Sequence, residues 1–156
     1  MAAPQVAILM GSKSDWEVVK ASRDILQSLG VVAEAKVLSA HRAPGPLHDY
    51  VAASPAKVFI CAAGGAAHLA GVVASFTTRP VIALPIAGKV LDGLDSLLAM
   101  VQMPKGVPVA TVAINGAGNA GILAAQILAV ADPALAKRLQ DHRKSEMDKV
   151  LAEKLE

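Results

Sequence analysis

Ser39-Ala40-His41-Arg42 places a titratable imidazole beside a fixed positive charge. Histidine changes charge near neutral pH and can both give and take a proton there. The planar guanidinium of arginine grips phosphate or carboxylate through paired N–H groups. Together they suit proton transfer on an anionic substrate. Two further stretches carry complementary chemistry. Gly11-Ser12-Lys13-Ser14-Asp15 offers two hydroxyls and exposed backbone N–H groups at the start of a helical segment. That arrangement suits a phosphate, since a helix N-terminus carries partial positive charge. Asp15 suits sugar hydroxyls, or serves as a helix cap. Ala62-Ala63-Gly64-Gly65-Ala66-Ala67-His68 supplies paired glycines that let a ligand approach the backbone closely.

Each stretch follows an apolar, strand-like run. The runs are 5–10, 33–38, 57–61, 81–84 and 107–114. Helix-like segments alternate with them: 15–29, 46–53, 66–75, 91–103 and 119–130. Such alternation predicts a parallel sheet with helices on both faces. Nearly continuous apolar strands fit a sheet covered on both sides. The expected fold is α/β: a flavodoxin-like three-layer αβα sandwich with a five-stranded parallel sheet in the order 2-1-3-4-5. Ligands bind such sheets at the C-terminal ends of the strands. The loops after the first three strands should therefore meet in one crevice. A single domain over 1–156 is expected, with a core at 5–131 and a C-terminal helix at 133–155. Asp132-Pro133 should start that helix, as N-cap and first-turn proline. Leu135, Leu139, Met147, Leu151 and Leu155 form its apolar stripe. The stripe could cover the chain's own sheet or pack on a neighbouring subunit.

Composition narrows the function classes. Net charge is +2 and aromatic residues make up 3%, with no dense basic patch before the C-terminal helix. Nucleic-acid binding through stacked bases is not expected. No apolar run approaches the roughly 20 residues of a membrane span. Met1-Ala2-Ala3-Pro4 lacks the basic region of a signal peptide. Cys61 is the single cysteine and lies within an apolar run, so a buried thiol in a reducing cytoplasm is expected. No His/Cys cluster has metal-ligand spacing. Hydrophobic residues reach 54% in so short a chain, which predicts apolar surface shared between subunits of a homo-oligomer. Gly116-Ala117-Gly118-Asn119-Ala120-Gly121 matches G-x-G-x-x-G, but no strand follows to present an acidic residue to a ribose. Close packing of the following helix, or a loop over the crevice, explains these glycines better.

The three loops, taken in order, resemble the N5-carboxyaminoimidazole ribonucleotide mutase family of purine biosynthesis. The matching segments are Gly11–Asp15, Ser39–Pro44 and Ala63–Leu69, then Gly93-Leu94-Asp95-Ser96-Leu97 and Val101–Pro108. The likeness runs from residue 5 to about residue 150. It implies a cofactor-free, metal-free isomerase, cytoplasmic and octameric, acting on a small phosphoribosyl imidazole. The resemblance implies His41 as the proton shuttle. It implies substrate contacts from Ser12, Ser14, Asp15, Ser39, Arg42, Gly64, Gly65, Ala66, His68 and Leu69. Two alternatives remain: a carboxylase that uses CO2 directly, and a non-enzymatic nucleotide-binding module. The carboxylase branch has Arg-Ser-Asn where this chain has Gly65-Ala66-Ala67, so the sequence is closer to the mutases. Ala70 stands where the family commonly has proline, and the stretch 114–119 is shorter than in many bacterial members.

Overall fold

A computed structural model describes residues 2–155. Five parallel strands form one sheet in the order β2-β1-β3-β4-β5, the expected 2-1-3-4-5. They are β1 (Val6–Met10), β2 (Ala33–Val37), β3 (Val58–Gly64), β4 (Val81–Ile86) and β5 (Ala110–Thr111). The helices are α1 (Trp16–Ser28), α2 (Pro44–Ala53), α3 (Leu69–Phe76), α4 (Leu94–Val101), α5 (Ala117–Ala129) and α6 (Pro133–Ala152). Both faces of the sheet are covered, so successive side chains of one strand enter two separate cores. Val6, Ile8 and Met10 pack with α1 and α5 on one face. Ala7 and Leu9 pack with α2 and α3 on the other. All five residues of β1 and all six of β4 are buried. Burying a large aliphatic or aromatic side chain such as Ile8, Leu84 or Phe59 contributes roughly 1.5–3 kcal/mol each. Cys61 is among the buried residues, and its apolar surroundings push the thiol's pKa up.

Register brings the strand ends level. Met10 lies beside Val37 on one side and Ala62 on the other, and Gly64 pairs with Ile86. The loops after β1, β2, β3 and β4 therefore leave from the same edge.

Two expected boundaries need correction. The fifth strand is two residues long rather than spanning 107–114. Pro108 cannot donate to a ladder, and only Ala110 and Thr111 keep register, beside Ile82 and Ala83. The C-terminal helix ends at Ala152, short of 155, where nothing packs against the chain. Its start is as expected: Asp132 Oδ1 accepts the Leu135 N–H at 3.0 Å and Pro133 opens the first turn. The first half of α6 covers its own subunit. Leu135 is buried, Leu139 packs against the core beside α5, and Arg138 Nε donates to Leu29 O at 2.7 Å. The second half leaves Met147, Val150 and Leu151 exposed. Among the described residues no helix is long and apolar enough to cross a membrane.

The G-x-G-x-x-G stretch forms the start of α5. Gly121 lies against α1: a Cβ there would sit 2.2 Å from Ile25 Cγ2 and 2.8 Å from Ser22 O. Close helix packing, not a nucleotide, accounts for that glycine.

Candidate active site

The four strand-end loops enclose a cavity of about 370 Å³. Its wall from β1 is Gly11, Ser12, Ser14 and Asp15, and from β2 it is Ser39, Ala40, His41 and Arg42. The loop after β3 adds Ala63, Gly64, Gly65, Ala66 and Leu69, and the end of β4 adds Ile86, Ala87 and Gly88. Ten of the eleven expected site residues line this one space. His68 does not; it contacts His41.

The β1 loop is braced from within. Ser12 and Asp15 form a reciprocal cap, in which Ser14 N donates to Ser12 Oγ at 3.3 Å and Ser12 N donates to Asp15 Oδ2 at 3.2 Å. Both uses considered for Asp15 are therefore compatible, since it caps the turn and lines the cavity. Partial burial raises the Asp15 pKa above its usual value. The Ser12 N–H, the Ser14 hydroxyl and the Arg42 charge oppose that rise.

Arg42 ties the first two loops together. Its Nη2 donates to Gly11 O at 2.6 Å, and its Nε donates to Ser39 Oγ at 3.2 Å. The turn that carries it is closed by Ala43 N donating to Ser39 O at 2.9 Å. The guanidinium is thus held in a fixed pose, with N–H groups to spare for an anion. His41 Nε2 lies 2.9 Å from His68 Nδ1, and the two rings meet edge to face.

The wall from β4 was missed from the sequence, as was what holds it. Ser96, fully buried in α4, accepts the Gly65 N–H at 2.9 Å and donates to Ile86 O at 3.0 Å. Asn115, at φ +56°, accepts the Ala87 N–H at 2.9 Å through Oδ1. Neither has a neighbour in sequence that shows its partner, and only tertiary structure tells what they bond. Ser96→Ala would strand the Gly65 N–H and the Ile86 carbonyl. It should cost about 1–3 kcal/mol, read as a lower urea midpoint with unchanged slope. Among the described residues no group of three or more His, Cys, Asp or Glu side chains could hold a metal ion.

A family model described as AIR carboxylase matches residues 5–149. The chain belongs to that family. It is 52% identical over 153 residues to an N5-carboxyaminoimidazole ribonucleotide mutase of Bacillus subtilis, covering 95% of this chain and 94% of the relative. It is likewise 52% identical over 147 residues to a mutase of Methanocaldococcus jannaschii, covering 94% and 93%. Among solved structures, Treponema denticola PurE superposes with a TM-score of 0.84 at 30% identity, over 95% of this chain and 94% of that one.

Proposed function

We propose that the chain is an isomerase of purine biosynthesis. It moves the carboxylate of N5-carboxyaminoimidazole ribonucleotide from the exocyclic nitrogen to ring carbon C4. The observation that carries this reading is the likeness to mutases at about half identity across both chains. The cavity supports it chemically, joining an imidazole, a guanidinium and a hydroxyl-rich helix start.

In this reading Ser12, Ser14, Ser39 and Arg42 hold the 5′-phosphate beside the N-terminus of α1. Asp15 accepts hydrogen bonds from the ribose hydroxyls. The ring lies between the His41 loop and the Gly64-Gly65 loop, flanked by Ala66 and Leu69. His41 gives a proton to the exocyclic nitrogen, whose bond to the carboxyl carbon breaks with its electrons passing to nitrogen. The CO2 released stays in the cavity. C4 attacks it, forming a carbon–carbon bond and leaving C4 with both hydrogen and carboxylate. His41 then removes the C4 proton and the ring regains aromaticity. Protons balance and no electrons are exchanged, so the steps need no cofactor. Holding CO2 beside C4 spares the entropy of a second encounter.

Separate assays test the reading. Purified protein should isomerise the N-carboxylated ribonucleotide without added CO2. Turnover only of the uncarboxylated ribonucleotide with CO2 would make it a carboxylase instead. Binding without turnover of either would make it a nucleotide-binding module. Arg42→Ala should raise KM about tenfold or more, the loss expected of a charge-assisted contact of about 1.5–3 kcal/mol. An unchanged KM would count against phosphate contact.

A cytoplasmic octamer is part of the same proposal. Exposed Val90, Leu91, Leu94, Leu98 and Val101 near α4, and Val150 and Leu151 on α6, supply apolar surface for subunit contacts. Sedimentation of the purified protein would read the assembly state.

A further inference from the structure

His68 starts α3 without capping it. Its backbone is fixed on both sides, with His68 N donating to Ala66 O at 2.8 Å and Val72 N donating to His68 O at 3.0 Å. Its side chain makes no cap hydrogen bond. Instead it reaches back 27 residues in sequence, to His41 Nε2 at 2.9 Å. That is the only side-chain hydrogen bond His41 makes among the described residues, and it leaves His41 Nδ1 free. One proton can lie between Nε2 and Nδ1, and its owner decides which nitrogen of His41 can act. The charged side chains on the cavity wall are Asp15 and Arg42, and both bond within the first two loops. Neither contacts the His41 ring through a hydrogen bond.

We propose that His68 is a positioning residue whose Nδ1 accepts the Nε2–H of His41 in both halves of the reaction. His41 Nδ1 is then the single nitrogen that gives the proton to the exocyclic amine and takes it back from C4. When that nitrogen is protonated, the imidazolium keeps its Nε2–H bond to His68, which stays neutral with its own proton on Nε2. One excess proton enters and leaves through Nδ1, so the account balances. Without His68 the two tautomers of His41 compete and the ring is free to turn. This proposal rests on the isomerase reading given above.

His68→Leu removes the acceptor, whereas His68→Asn keeps an amide oxygen close to where Nδ1 stood. His68→Leu should lower kcat about 10–100-fold, as loss of a partner that orients a working histidine does. KM should stay within about threefold and Tm within about 2 °C, because the side chain is exposed and off the cavity wall. His68→Asn should recover kcat to within about threefold of the parent. Equal kcat in the parent and His68→Leu would overturn the proposal, and so would losses confined to KM or Tm. Ring 15N signals of histidine-labelled protein read the tautomer independently of turnover. The Nε2–H form of His41 is expected in the parent and a mixture in His68→Leu. A Nδ1–H form in the parent would overturn the proposal even if isomerisation is seen. Absence of isomerisation with the Nε2–H form intact would instead reject the isomerase reading alone.

Discussion

His41→Asn should abolish most turnover, lowering kcat by about 10²–10⁴-fold, while the affinity for a phosphoribosyl ligand stays within about tenfold. Asparagine has similar bulk near the backbone, so the turn closed by Ser39 O and Ala43 N survives. Arg42 stays anchored to Gly11 O and Ser39 Oγ, and the phosphate end of the cavity is unchanged. What disappears is a group that can be protonated in one step and neutral in the next near pH 7. An amide does neither. Lysine would stay charged unless desolvated, and a carboxylate would repel an anionic substrate, so neither should restore activity. Steady-state kinetics paired with calorimetric titration of the product would separate chemistry from binding. Turnover within about fivefold of the parent would remove His41 from the acid–base role. The variant also loses the nitrogen facing His68. Comparing His41→Asn with His68→Leu therefore ranks the two: the shuttle itself should cost far more than the residue that orients it.

Much of this arrangement was legible in the sequence because the signals were local. Continuous apolar runs such as Val6–Met10 mark strands covered on both faces, and βα alternation then fixes a parallel sheet and the edge where ligands bind. Polar and glycine-rich residues just past those runs marked three of the four cavity walls. The remainder depended on contacts far apart in the chain. His68 lies 27 residues from His41, and nothing near it in sequence points to that contact. Ile86, Ala87 and Gly88 carry no polar side chain. Their place on the wall follows from the pairing of Gly64 with Ile86 and from Ser96 and Asn115 behind them. The fifth strand is shorter than the apolar, β-branched run Val107–Ile114 predicts, and at its start Pro108 cannot make the ladder hydrogen bond.

Gly121 gives a large expected effect on stability, and it tests close packing as the reason for a glycine there. Helix propensity favours alanine over glycine by about 0.8–1.0 kcal/mol in a helix interior. Here that gain is outweighed. A Cβ at residue 121 would overlap Ile25 Cγ2 and press on Ser22 O, and backbone cannot swing aside as a flexible side chain can. The helices are also joined by Ser22 Oγ donating to Ala117 O at 2.6 Å, so separating them strains that bond. Gly121→Ala should therefore lower stability by a net of about 1–3 kcal/mol, seen as a reduced urea midpoint. Gly118, in the same motif and the same helix, has nothing within 4 Å of where its Cβ would be. Gly118→Ala should be neutral or mildly stabilising. In a nucleotide-binding motif the third glycine also serves close helix packing, so the discriminating position is Gly118, which there lets a pyrophosphate approach the backbone. If Gly121→Ala proves as stable as Gly118→Ala, close packing of α1 on α5 does not explain the motif. If the predicted order holds, Gly121 belongs to the scaffold. Because α1 follows the Ser12–Asp15 loop directly, the same helix displacement should also raise KM in Gly121→Ala and leave it unchanged in Gly118→Ala.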